Sequence, residues 1–330
     1  MANLNVLLGA GFSVPAGFPT GNQLNQKFSQ GVENNLLKMS LGEWFFDEHS
    51  AAYSNNGKLN NDYLKISYLL TEFINKFKSE SKKDFDYEEF YDWFYENYNS
   101  QSLIEELSKN ANKRIKEDHN LEDNSADYLN SPDINHYKML FECFNHLIGD
   151  LLGRDYQKVA TKEQYSRIIE DFQEYDSVNI FTLNHDLLME YLLKEFNVKY
   201  SSGFSTENSF ITGDDNNKIE IFDRESYKEK VKLYKTHGSI DNYLFEELVD
   251  NKGISNRTGK YWYFKPKSYY DKHYAKRIDL KTGETLQQYN WNITPQFLTG
   301  KNKKELLQII ITMNLFLKNL RNHFKFATNF

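Results

Sequence analysis

The period of the hydrophobic pattern changes along the chain, and each change predicts an element. Residues 4–8 form a short apolar run that stops at Gly9, which reads as a buried strand rather than a helix. Thr20 then precedes the spaced pair Leu24 and Phe28 and predicts a capped helix, so the local order is strand, glycine turn, helix. From about residue 35 to 175 the period is helical, without clear strands. Tyr63, Ile66, Leu69, Leu70, Phe73, Ile74 and Phe77 recur at three- and four-residue steps, as one buried helix face requires. Residues 84–98 interleave acidic groups with Phe85, Tyr87, Phe90, Trp93 and Phe94, a packed aromatic helix face or, alternatively, a partner-docking surface.

Further along, Ser131 and Pro132 read as the N-cap and first position of a helix that buries Leu140, Phe144, Leu147, Ile148 and Leu151. Its His136 and His146 lie about 280° apart around the axis and do not make a metal pair. Residues 108–130 are polar and read as a loop or a weakly held insertion. Strand signals return at 177–183, 219–222, 231–236 and 261–264, with a helix at 187–196 and a long loop at 200–217. Residues 303–324 read as one helix, apolar almost all round between Leu306 and Leu317, which implies burial in a core or an interface. One strand, a long helical block, then strands alternating with helix predict an α/β sheet domain with a helical insertion.

Composition narrows the possibilities. With 330 residues the chain can bury one sizeable core and a second lobe. Forty basic against 47 acidic side chains, net −7, argue against a surface built to neutralise nucleic-acid phosphates. The single cysteine, Cys143, excludes an internal disulfide framework and any multi-cysteine zinc or iron–sulfur site. No metal is expected. The N-terminus lacks a basic leader, and the run at 306–317 falls short of the roughly 20 residues needed to cross a bilayer. A cytoplasmic protein without a membrane partner is expected.

Three segments carry candidate chemistry. In the first, Gly9-Ala10-Gly11-Phe12-Ser13 follows a strand and precedes a helix, where glycines allow backbone amides to approach an anion closely. The common dinucleotide fingerprint would place its third glycine where Val14 stands, so this loop alone also fits a simple tight turn. In the second, Thr182, Asn184 and Asp186 stand where a strand gives way to a helix. Ligands of open α/β sheets bind at that end of the strands, although either Asn184 or Asp186 could simply cap the helix. In the third, His237-Gly238 ends a strand, and a histidine there can serve as a base near neutral pH.

Taken together and in this order, Gly9-Ala10-Gly11-x-Ser13 with Gly17-x-Pro19, then Thr182-x-Asn184-x-Asp186, then His237-Gly238, resemble the sirtuin superfamily. The wording of the motifs is closer to bacterial sirtuin-like domains of anti-phage defence than to protein deacetylases. The likeness covers roughly residues 4–30 and 177–300, and the helical block has no counterpart motif. It implies a Rossmann-like parallel sheet formed by residues 1–34 and 177–300, a helical insertion at 35–176, and a C-terminal helix at 301–330 as a possible interface. NAD+ would be the substrate, with Gly9, Ala10, Gly11 and Ser13 along the pyrophosphate and Thr20 near the nicotinamide half. Thr182 and Gly238 would complete the binding site. Asn184 and Asp186 would face the nicotinamide ribose, and His237 would be the base.

The chain departs from the family in three places; in the first, the acidic residue and arginine that deacetylases commonly place after the loop proline are replaced by Thr20 and Gly21. Deacetylating members carry a four-cysteine zinc ribbon after the His-Gly segment, and this chain has no cysteine there. Deacetylation is thereby disfavoured. After residues 293–300 the usual late strand with its Gly-x-Ser turn is missing, so the C-terminal part of the family fold reads as truncated or replaced. The implied activity is an NAD+ glycohydrolase that depletes NAD+ in defence, activated by homo-oligomerisation or by a sensor subunit of the same operon. A catalytically weak nucleotide-binding or scaffold subunit is the alternative.

Overall fold

The computed structural model describes residues 2–34, 36–40, 43–47, 61–97, 100–119, 134–153, 162–251, 254–290 and 294–296. Its organising element is a parallel sheet of four strands in the order β1 (Asn3–Leu8), β4 (Ser177–Thr182), β9 (Val231–Lys235) and β5 (Tyr200–Ser201). The register aligns Leu8 with Thr182 and Thr182 with Lys235, so three strands end side by side. Alternation sends Val178, Ile180, Val231 and Leu233 to one face. There they meet Ile169 of α6 (Ser166–Asp171), the following Phe172, and Leu188 and Leu192 of α7 (Leu188–Glu195). The chain is therefore mixed α/β with a parallel sheet, as the element order predicts.

The helical core is separate. It comprises α1 (Gly21–Glu33), α2 (Asn61–Ser81), α3 (Tyr87–Asn97), α4 (Gln101–His119) and α5 (Ile134–Gly153). Thr20 caps α1, as the sequence suggests, and the structure adds a reciprocal box with Gln23. The apolar face of α1 (Leu24, Phe28 and Val32) packs into this helical core rather than onto the parallel sheet. Phe85, Phe90 and Phe94 are buried here with Phe28, Phe73 and Phe144, so the aromatic stretch of α3 is mainly core, leaving Tyr95 exposed.

Several expectations need correction. The block at 35–175 does contain strands, because β2 (Leu37–Ser40) and β3 (Glu43–Phe46) form an antiparallel hairpin. Each is only four residues, too short for a period-two signal to stand out beside long helices. The hairpin packs on α1 where Gly31 leaves room for the Phe46 ring, which a Cβ there would meet at 2.4 Å. Residues 101–119, partly assigned above to a polar loop, continue as α4, which buries Ile104, Leu107, Ala111 and Ile115 on one face. The stretch at 200–217 is not one loop but holds β5, β6 (Phe204–Ser205) and β7 (Ile211–Thr212).

β6 and β8 (Glu220–Phe222) join an antiparallel sheet in the order β10 (Tyr243–Asn251), β11 (Ile254–Lys265), β8, β6. Ile221, Phe245 and Phe264 form its core. β7 pairs with β12 (Lys276–Ile278), which pairs with β13 (Thr285–Gln287). α8 (Tyr269–His273) links the last two sheets. The expected cap at Ser131 and Pro132 and the helix at 303–324 lie outside the described residues. No described helix is long and apolar enough to cross a membrane.

Candidate functional site

At the end of β1 the chain makes two successive turns. The amide of Phe12 donates to the Gly9 carbonyl at 2.9 Å and that of Ser13 to Ala10 at 3.0 Å. Gly17 closes the second turn with φ of 86°, a left-handed conformation that favours glycine. Gly9 does not need that freedom, since its φ is −116°. Packing does not require the loop glycines either: a Cβ built on Gly9 or Gly11 has nothing within 4 Å. Among the described residues the amides of Ala10 and Gly11 make no hydrogen bond. The loop is thus held by its own turns and by Tyr165, whose hydroxyl donates to the Phe12 carbonyl at 2.7 Å, while the two glycines open outward.

The turn after β4 reaches across to this loop. The side-chain amide of Asn184 donates to the Gly9 carbonyl at 3.0 Å and to the Ser13 hydroxyl at 2.9 Å. The carbonyl accepts only, so it fixes which way the carboxamide points. Both amide hydrogens are used, and among the described residues the Oδ1 of Asn184 makes no hydrogen bond. Thr182 is buried, and its hydroxyl accepts from the backbone N–H of Asn184 at 3.1 Å. Thr20 is engaged as the cap of α1. Asp186 is 6% exposed, and its Oδ1 accepts from the Leu188 amide at 2.9 Å, so this carboxylate shapes the entry to α7.

The third segment is laced to the second. Thr236 donates its amide at 3.1 Å and its hydroxyl at 3.0 Å to the Thr182 carbonyl. The Ile240 amide and the Ser239 hydroxyl both donate to the His185 carbonyl. Between them lies His237, partly exposed, with its ring 6.2 Å from that of buried His185. Gly238 adopts φ of 76° to make the turn. Together, Gly9, Ala10, Gly11 and Ser13, Thr182, Asn184 and Asp186, and His237 and Gly238 belong to neighbouring turns at one end of one sheet.

Sequence reading missed the charged groups beneath these turns. Lys235 ends β9 and pairs with Glu190 of α7 at 3.4 Å, both almost fully buried, and also donates to the Asp186 carbonyl. Asp241 pairs with Lys265 of β11 at 2.8 Å. Burial of Asp241 works against its charge, but Lys265 and Lys235 outweigh it and hold the carboxyl below its ordinary value. For Lys265 burial likewise opposes the charge, and Asp241 and Glu190 prevail, raising it. A charged residue on an apolar helix was the available signal for Glu190, but Lys235 and Asp241 look like any solvated residue near a turn.

Two cavities lie elsewhere. One of about 390 Å³ is bordered by Tyr200, Ser205, Glu220 and Lys228. The other, about 350 Å³, opens between β3, α5 and the chain after His237, with Trp44, Asp150, Ile240 and Tyr243 in its wall. Neither wall includes Gly9, Asn184 or His237. Neither protein-family models nor curated proteins match the chain.

Proposed function

We propose that the chain hydrolyses NAD+ at the bond between nicotinamide and ribose, releasing nicotinamide and ADP-ribose. The observation that carries this reading is the bond from Asn184 to both Gly9 and Ser13, which joins an outward-open glycine loop to a polar turn at the carboxyl end of a parallel sheet. On this reading the sheet is Rossmann-like, and the amides of Ala10 and Gly11 meet the pyrophosphate.

The chemistry needs few groups. The nicotinamide is already cationic, so its nitrogen takes the electron pair of the breaking C–N bond without prior protonation. Water supplies the new C1′–O bond, and His237 accepts the water proton before passing it to solvent. Because both amide hydrogens of Asn184 hold the loop, Asn184 acts through Oδ1, accepting a hydrogen bond from that water or from a ribose hydroxyl. Asp186 then works indirectly, by fixing the turn that carries Asn184. Gly238 supplies the bend that presents His237, and Thr182 and Thr20 support the two turns.

The resemblance of these motifs to defence sirtuins supports a role for the protein as a cytoplasmic effector that depletes NAD+ in anti-phage defence. It would be activated by homo-oligomerisation or by a sensor subunit. One observation favours the second reading, a nucleotide-binding subunit without turnover: the Asp186 carboxylate is buried and engaged by Leu188. Incubating the protein with NAD+, alone and with the products of neighbouring genes, and following nicotinamide by chromatography separates the two. Release that depends on His237 supports the hydrolase; binding of NAD+ with no release in any combination supports the subunit.

A further inference from the structure

The chain passes from one core to the other within a few residues of the glycine loop. Ala16 and Phe18, which end the loop, are buried in the core of the parallel sheet. Leu24, Phe28 and Val32 of α1 are buried in the helical core. Between Phe18 and Leu24 lie residues 19–23 alone, and that link has little freedom. The ring of Pro19 holds its φ, the box between Thr20 and Gln23 fixes the cap, and the chain from Gly21 onward is already helical. On the loop side, the amides of Ala16 and Phe18 both donate to the Ser13 carbonyl, at 3.1 and 3.3 Å. The loop is thus held from two sides, by Asn184 and Tyr165 on the sheet and by α1 on the helical core, with no soft joint before α1.

Asn25 fixes α1 close to that loop. Its buried side chain donates through Nδ2 to Asp86 Oδ2 at 3.2 Å and accepts at Oδ1 from the Tyr87 amide at 2.9 Å, where α3 begins. Asp86 in turn caps α3, its Oδ1 accepting from the Glu89 amide at 2.9 Å. Apolar burial of Phe28 and Val32 holds α1 in the core without direction, whereas this pair of hydrogen bonds sets its rotation four residues after its start. We propose that Asn25 is a positioning residue for the glycine loop: through α1, the helical core sets the pose of the Ala10 and Gly11 amides. Its role in catalysis rests on the reading of this loop as the dinucleotide site; the mechanical coupling does not. Linkage makes the effect reciprocal, so a ligand held by the loop also steadies α1 against α3.

Hydrogen exchange of the full-length protein, read by mass spectrometry, tests this. Asn25→Asp sets two carboxylates against each other, and Asn25→Ala removes both bonds without adding charge. Asn25→Asp combined with Asp86→Asn reverses donor and acceptor and restores them. The peptide covering residues 9–18 should exchange about 10-fold faster in either single variant and return to the parent rate in the double one, while β4 keeps its rate throughout. NAD+ affinity, measured by calorimetry, should fall by about 10-fold in the single variants and recover in the double. Faster exchange confined to α1 and α3, or spread equally over β4, gives Asn25 no particular tie to the loop and overturns the proposal, as does a double variant that stays as fast as the single ones. Parent-like affinity in single variants of a parent that binds NAD+ overturns it too. A parent that binds no NAD+ refutes the dinucleotide reading instead, and the exchange rates still decide the coupling.

Discussion

Asn184 and Ser13 are 171 positions apart in the chain, yet the carboxamide of one donates to the hydroxyl of the other at 2.9 Å. With the second bond to Gly9, this contact sets the spacing between the glycine loop and the β4 turn. Asn184→Asp keeps the shape but replaces the NH₂ donor with a carboxylate, which faces the Gly9 carbonyl without a hydrogen to give. Nicotinamide release should fall by about 10²-fold or more, with a loss of stability of about 1–3 kcal/mol in urea unfolding. A variant with unchanged turnover would remove Asn184 from the reaction.

The open glycines allow binding to be separated from folding. Gly9→Ala meets no atom and no forbidden φ, so its unfolding free energy should stay within about 0.5 kcal/mol of the parent. NAD+ affinity, measured by calorimetry, should nonetheless drop, because the new methyl occupies the space assigned to the dinucleotide. Gly238→Ala is the contrasting case. At φ of 76° it should cost about 1–2 kcal/mol in stability.

Beneath the site, Lys235 and Glu190 form a pair whose side chains are only 6% and 8% exposed. Removing either partner strands the other charge in a poorly solvated place, so Lys235→Met or Glu190→Leu should each cost about 3–5 kcal/mol. The double variant should recover much of that loss. Strictly additive losses in the double-mutant cycle would show that the two groups do not interact.

His273, on α8 beside Glu43 and Lys272, gives a pH dependence with a defined sign. Burial lowers its pKa below the ordinary value near 6.5; Glu43 opposes this and Lys272 adds to it. The unfolded chain therefore binds the proton more readily, and stability falls as pH drops through 6.5 towards the folded value. Between pH 7.5 and 5.5 the parent should lose more Tm than His273→Gln. Parallel pH profiles would contradict the assignment.

Much of this arrangement is legible in the sequence, for identifiable reasons. β1, β4 and β9 announce themselves as short apolar runs ending at polar turns, and Thr20 marks the start of α1. The glycine loop, Asn184 and His237 stand out because each follows a strand. The β2–β3 hairpin was not legible, since strands of four residues carry too few alternations to outweigh the helices around them. Nor was the direction of the α1 face, because a pattern of apolar positions gives a buried stripe without naming what it packs against. Asp186 illustrates the same limit at the site: its type suits either a ligand contact or a helix entry, and only its bond to Leu188 shows which one it makes here.

The most direct measurement of the central claim is nicotinamide release from NAD+ by the parent protein and by His237→Ala, each with the activating partner or at the oligomer-forming concentration. The account predicts measurable release by the parent and a loss of about 10²- to 10⁴-fold in the variant, whose Tm is unchanged. Equal release by the two proteins would contradict it.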